Sequence, residues 1–252
     1  MQDGFSEKLL IAKAEDTIKL SEKYCSLRHT DFLTPSEATV VKEKHLYGYE
    51  SVQKFFGGYE DAERVMFISY PDFFEESPVD EIIAVIEITG RDIASLNHRD
   101  YLGSLMGLGI KREKIGDILV SDDKTLVFAS VDIAKYIKDN LTKIGSCGIK
   151  IEVKTVGETL VPKKKTEPVS GTVQSVRLDS VLSVALKTSR SKTAQFIQGE
   201  KVQVNWKTIS DVSYQMKEGE IFSVRSYGRF MLASVNGTTK KGRISITVEK
   251  YI

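Results

Sequence analysis

The stretch IIAVIEITGRDIASLNHRDYLGSLMGLGIKREKIGDILVSDDKTLVFASVDIAKYIKDNLTKIGSCGIKIEVK, residues 82–154, decides the fold. It opens on a β-branched run, Ile82 to Ile88, and continues into a helical stretch from His98 to Leu108. Gly116 to Val120 and Lys124 to Ala129 read as extended, with Ser121-Asp122-Asp123 as the turn between them. Val131 to Leu141 is helical, since Ile133, Ile137 and Leu141 share one face; Gly145 is expected to close that helix, and Gly148 to Lys154 is extended again. The order βαββαβ predicts a ferredoxin-like domain, the plan of RNA-recognition motifs, over residues 81–156. Such domains often stack RNA on aromatic residues of their two central strands. Here the first strand has none and the third offers only Phe128, so that mode is not expected.

Outward from this core, residues 1–80 read as an N-terminal α/β domain. A helix spans Ser6 to Leu27, and Thr34-Pro35-Ser36-Glu37 supplies a cap and an early acid for a second helix beginning at Ser36. Strands are expected at Tyr49 to Phe55 and Arg64 to Ser69, joined across Gly57-Gly58. On the other side, residues 157–171 hold two of the five prolines and the triple lysine Lys163 to Lys165 without apolar periodicity, and read as an exposed linker. Residues 172–252 form a third, C-terminal domain. The fold class is therefore α+β in three parts.

Composition bounds the function. The chain has 252 residues, 41% hydrophobic and 28% charged, enough for sizeable cores. Its longest apolar run, Ile82 to Ile86, falls far below the ~18 to 20 residues that cross a bilayer, and the N-terminus lacks a signal-peptide pattern, so a cytoplasmic protein with no membrane contact is expected. Cys25 and Cys147 give no disulfide framework, and His29, His45 and His98 show no metal-ligand spacing; neither metal nor cofactor is expected. Nothing resembles a coiled coil, which leaves a monomer as the expected state. The formal net charge of +1 hides an asymmetry: residues 1–149 carry −8 and residues 172–252 carry +7. A basic terminal domain on an acidic body is the footprint expected for a phosphate-bearing partner.

In that terminal domain Leu178, Val181, Leu182 and Ala185 fall on one helical face, while Ser180, Ser183 and Lys187 lie opposite. Thr188-Ser189-Arg190-Ser191 breaks the helix and caps a second one, in which Ala194 and Ile197 oppose Lys192 and Gln195. Extended segments at Val202 to Val204, Ile221 to Val224, Phe230 to Val235 and Ile244 to Val248 complete a helical hairpin on a small sheet. The free face and the inter-helix turn gather Arg177, Lys187, Arg190 and Lys192 beside helix-start amides, an arrangement suited to phosphate.

This pattern resembles the S4-type (αL) RNA-binding domain. Arg177-Leu178-Asp179, Ser189-Arg190-Ser191-Lys192, Ala194-Gln195, Ile197, Val202-Gln203-Val204-Asn205, Gly219-Glu220-Ile221 and Val224-Arg225 through Tyr227-Gly228-Arg229 carry the likeness. Trp206 stands where many such domains have Gly, and Glu220 where Asp is usual. The run Asn97 to Ile118 resembles the middle-domain signature of the YlmH family, bacterial S4-domain proteins encoded beside cell-division genes, and the likeness extends over the whole chain. It implies RNA binding without catalysis, with ribosomal RNA and tRNA as partners on the large ribosomal subunit, in ribosome-associated quality control. On this reading Arg177, Lys187, Arg190 and Lys192 neutralise phosphates and lie among Ser189 and Ser191. Gln195 and Asn205 add polar contacts, and Arg225, Arg229, Lys240, Lys241 and Arg243 extend the surface. Lys111, Arg112 and Lys114 are a candidate second contact on the middle domain.

Rival chemistries lack their parts. His98-Arg99-Asp100 mimics a kinase catalytic loop without a nucleotide loop or metal ligand, and Gly103, Gly107 and Gly109 lie in and at the end of a helix instead of between a strand and a helix. Arg177-Leu178-Asp179 shares its residues with the catalytic motif of pseudouridine synthases but sits in a small helical hairpin, where Asp179 is read as orienting a neighbouring base or cap. An accessory to RNA modification and a cell-division interaction protein are the alternatives.

Overall fold

The computed structural model describes residues 2–74, 78–161, 166–239 and 242–251, with side chains from residue 7 onward. The chain divides into two compact units, Met1–Val161 and Pro162–Ile252. The first unit therefore takes in both segments that flank residue 80.

In its N-terminal part, α1 (Gln2–Tyr24) is followed by β1 (Arg28–His29), α2 (Pro35–Glu43), β2 (Ser51–Phe56) and β3 (Met66–Pro71). The start of α2 is fixed by a capping box: the Thr34 side chain accepts from the Glu37 amide, and the Glu37 carboxylate accepts from the Thr34 amide at 2.7 Å. The strands pair antiparallel in the order β1-β3-β2. Alternation sends Phe55 and Phe67 towards α1 and α2, where they join Ala14, Ile18, Ala38 and Val41 in one core.

The middle part runs β4 (Ile83–Gly90), α3 (His98–Gly107), β5 (Ile115–Val120), β6 (Thr125–Ser130), α4 (Val131–Asn140), β7 (Lys143–Ile144) and β8 (Cys147–Lys154). The sheet order β5-β6-β4-β8-β7 with antiparallel neighbours is the ferredoxin-like arrangement plus one short edge strand. Asn97 caps α3 in a second capping box with Asp100. Gly145 does not close α4, which ends at Asn140. Its φ of +56° instead makes the tight turn that pairs Ile144 with Cys147, a backbone shape that favours glycine.

The two sheets of this unit meet face to face. One face of the ferredoxin-like sheet, Ala84, Ile86 and Ile88, packs on Tyr101, Leu105, Ala134 and Ile137 of its helices. The other, Ile83, Val85, Leu126 and Phe128, is buried against Phe32, Met66, Ile68 and Tyr70 of the N-terminal part. Phe128 is fully buried, 4.9 Å from the Tyr59 ring. A Cβ on Gly58 would sit 2.3 Å from its ring. The sheet surface on which a recognition motif would stack bases is here part of a protein core.

The second unit comprises β9 (Thr166–Val173), α5 (Leu178–Ala185), α6 (Arg190–Gln198), β10 (Val202–Val204), β11 (Lys207–Thr208), β12 (Ile221–Val224), β13 (Gly228–Thr238) and β14 (Ile244–Tyr251). Its sheet runs β11-β10-β12-β13-β14-β9, and the two helices cover one face. Residues 166–171, read above as linker, are the body of edge strand β9, registered on β14 from Thr166↔Tyr251 to Val173↔Ile244. Pro168 is tolerated because β9 pairs on one side only. The triple lysine Lys163 to Lys165 lies outside the described residues.

Candidate nucleic-acid interface

The two short helices of the second unit are joined by Leu186-Lys187-Thr188-Ser189. Lys187 takes a left-handed φ of +49°, which turns the chain sharply. Ser189 caps α6 by accepting from the Lys192 amide and lies 3.0 Å from the Ser191 hydroxyl. Leu178, Val181, Leu182 and Ala185 fill the core as their spacing predicts, but Ser180 does not lie on a free face. It is buried together with Asp179, because α6 crosses over the start of α5 and Thr193 donates to the Asp179 carbonyl at 2.9 Å.

Asp179 is the centre of the surface. Its side chain is only 7% exposed, and its carboxylate accepts from Arg177 Nε at 3.2 Å and from Arg190 Nε at 3.1 Å and Nη2. Burial pushes its pKa up, but the hydrogen bonds and charge of Arg190, then of Arg177, outweigh that and hold the carboxyl below its ordinary range. The arginines themselves remain 33% and 49% exposed. One buried acid thus fixes two guanidiniums at the surface while leaving part of each available. Arg177 also faces the charge of Asp211, and exposed Lys187 and Lys192 add positive charge on the same hairpin. Gln195 is exposed on the same helix as Lys192.

Other candidates are placed differently. Both ends of the Asn205 amide are engaged inside the unit, Nδ2 donating to Glu220 Oε1 at 3.2 Å and Oδ1 accepting from the Ile221 amide at 3.1 Å. Arg229 alternates with buried Phe230, so it rises from the sheet face opposite the helices, its guanidinium 5.8 Å from the Trp206 ring centre. Arg225 is exposed in the β12–β13 turn, whose Tyr227 meets Phe196 of α6 at a tilt, with ring centres 5.4 Å apart. Arg243 donates to the Thr172 carbonyl at 2.7 Å, and Lys240 and Lys241 lie outside the described residues.

The three residues of the candidate second contact are engaged differently. Arg112 turns inward to donate to the Ile115 carbonyl and, at 3.2 Å, to that of Gly116. Burial and then the nearby Arg64 charge depress its pKa to about 10. Lys114 is held between Asp31 and Asp132 at 3.0 Å each, which leaves Lys111 exposed beside Glu113 at 4.0 Å. The sequence placed Asp179 as an orienting group but not its partners: Arg177 is two residues away, and the crossing of α5 and α6 brings in Arg190.

Residues 78–158 match the family described as "Putative RNA-binding domain in YlmH", and residues 176–222 match the S4 domain. The chain is 32% identical over 246 residues to the "Ribosome-associated protein quality control protein P2" of Bacillus subtilis (strain 168), covering 97% of this chain and 95% of that protein. A solved structure, "Cell division protein ylmH from Streptococcus pneumoniae", aligns with a TM-score of 0.50 at 22% identity over 62% of this chain and 95% of that one. That likeness speaks to the fold.

Proposed function

The chain belongs to the YlmH family of S4-domain proteins, and from that premise we propose that it is a non-catalytic RNA-binding protein of ribosome-associated quality control, engaging structured ribosomal RNA and tRNA on the large ribosomal subunit. The observation that carries this reading is the Asp179-held pair Arg177 and Arg190 at the helical hairpin, flanked by Lys187 and Lys192. Guanidiniums fixed by a buried carboxylate are pre-ordered for phosphate oxygens, so little side-chain entropy is lost on contact. Phosphate contacts dominate, and recognition follows RNA shape more than sequence.

The Arg-Leu-Asp run acts here through position. Asp179 is buried under its two arginines and organises the surface instead of meeting a substrate. The acidic first unit does not drive non-specific RNA binding; it positions the molecule against ribosomal proteins or holds a tRNA in one orientation. The middle domain contributes no base-stacking sheet, since that face is occupied by the N-terminal part.

The test is sedimentation of the tagged full chain from lysate through a density gradient at low and moderate salt, with sequencing of RNA from the peak fraction. Comigration with large subunits carrying tRNA is expected. Migration as free protein at both salts would refute the reading and favour a divisome partner or an RNA-modifying role.

A further inference from the structure

Strand β10 passes to β11 through a two-residue turn, Asn205-Trp206, with Val204 paired to Lys207. Both turn residues are left-handed, at φ +46° and +62°. Asn followed by Gly is the pair that such a turn favours. Asn205 suits it, but Trp206 brings a bulky side chain to a backbone position that penalises one. The indole does not repay this by filling the core, which is built from Leu178, Leu182, Phe222, Phe230 and their neighbours and does not include it. It is instead half-buried at the surface, with the Arg229 guanidinium 5.8 Å from its ring centre.

Strand register places that contact. Gln203, Ser223 and Arg229 form one cross-strand row, while Val204, Phe222 and Phe230 point to the helices and are buried. Trp206 therefore meets Arg229 on the sheet face turned away from α5 and α6. Lys201 and Arg225, both exposed, end β10 and β12 in the same alternation and are joined by an amide–carbonyl bond of 2.9 Å. An aromatic ring under one guanidinium, with two further exposed cations along the same sheet face of a segment of net charge +7, has the make-up of a site for a base and nearby phosphates.

We propose that Trp206 stacks an unpaired RNA base, with Arg229 holding the indole and Lys201 and Arg225 taking the adjoining phosphates, as a second contact on the opposite face from the Arg177–Arg190 pair. This rests on the RNA-binding reading above. Aromatic stacking accepts any base, so the contact selects single-stranded over paired RNA without selecting sequence.

Trp206 is the sole tryptophan of the chain, so its emission reports on the site directly. The full-length protein is titrated with an RNA hairpin carrying an unpaired loop and with a blunt duplex. Binding is read from the anisotropy of labelled RNA, and stacking from tryptophan emission with unlabelled RNA. The hairpin should quench emission with the same midpoint as the anisotropy change. Trp206→Gly, which relieves the backbone penalty, should fold at least as stably by thermal denaturation yet bind the loop about tenfold more weakly, with duplex affinity unchanged. Trp206→Phe should recover most of the loss. Hairpin binding with unchanged emission and no effect of Trp206→Gly would overturn this contact and leave the RNA-binding reading intact. No binding of either RNA would overturn both. Emission that responds to RNA-free ribosomal protein but not to the hairpin would make Trp206 a protein contact and overturn the proposal.

Discussion

Replacing Asp179 by Asn sets two accounts of the helical hairpin against each other. If the surface works by net charge, losing one negative group tightens RNA binding. A phosphate about 6 Å from the carboxylate, in a water-like dielectric, would gain ~0.7 kcal/mol, roughly threefold in affinity. If the surface works by position, the opposite follows. The carboxylate takes three N–H donors, and a neutral amide of the same shape cannot hold both guanidiniums. Freeing two arginines returns an ordering cost of ~0.5–1.5 kcal/mol each to the binding step, ~1–3 kcal/mol together, so affinity should fall roughly 5- to 150-fold.

Stability should fall as well. A buried charge-assisted bond contributes ~1.5–3 kcal/mol, but both arginines are well exposed, which reduces the expected loss to about 1–2 kcal/mol. For a unit of this size that lowers Tm by about 5–10 °C. The folded-state pKa of Asp179 is depressed, so its contribution is complete above the ordinary value of 3.8 and is lost as pH falls through the folded value. The gap between wild type and variant should be full at neutral pH and close in strong acid. Fluorescence anisotropy with labelled ribosomal RNA fragments, together with thermal melts across pH, measures both effects. Affinity equal to or tighter than wild type in Asp179→Asn would refute the positioning argument.

Three further predictions concern other parts of the molecule. Arg190→Ala with Lys192→Ala should weaken RNA binding and lower the slope of log K against log salt by about one unit per lost phosphate contact, and an unchanged slope would remove α6 from the interface. Gly58→Ala places a Cβ 2.3 Å from the Phe128 ring at a φ of +103°, so the first unit should lose at least about 2 kcal/mol by urea denaturation; an unchanged midpoint would contradict the face-to-face packing of its two sheets. Glu87, 13% exposed, accepts from Lys154 at 2.7 Å and Lys124 at 3.0 Å, and those bonds hold its carboxyl low. Glu87→Gln should cost about 1 kcal/mol at neutral pH, a difference that fades as pH falls below 4.5, and equal stability at pH 7 would discount the cluster.

The ferredoxin-like plan was legible because its elements declare themselves locally: β-branched Ile82 to Ile88, the one-sided apolar face of Val131 to Leu141, and Ser121, whose amide and hydroxyl both close on the Lys124 carbonyl. Strand β9 was hidden because Pro168, Ser170 and Gly171 are poor strand signals. They serve because Pro168 sits on an edge and because α5 comes so close that a Cβ on Gly171 would lie 2.7 Å from Val184. The burial of Ser180 was equally invisible, since helical periodicity sees one core face and not a second helix crossing the other. Arg112 and Lys114 read as a basic loop, but Arg112 folds back on the carbonyls of Ile115 and Gly116, and carboxylates of distant segments, Asp31 and Asp132, claim Lys114. For the hairpin surface the residue types were readable, while the pairing of Asp179 with Arg190, beyond its near neighbour Arg177, depended on helices meeting at eleven residues' separation.

On the proposed function the second unit meets RNA through the α5–α6 hairpin. Ultraviolet crosslinking of the full chain bound to ribosomal particles, followed by mass spectrometry of nucleotide-bearing peptides, tests it most directly. Crosslinks within residues 177–195, lost in the Arg190→Ala, Lys192→Ala double variant, are the predicted result. Crosslinks confined to the first unit, with the hairpin peptides unmodified, would contradict it.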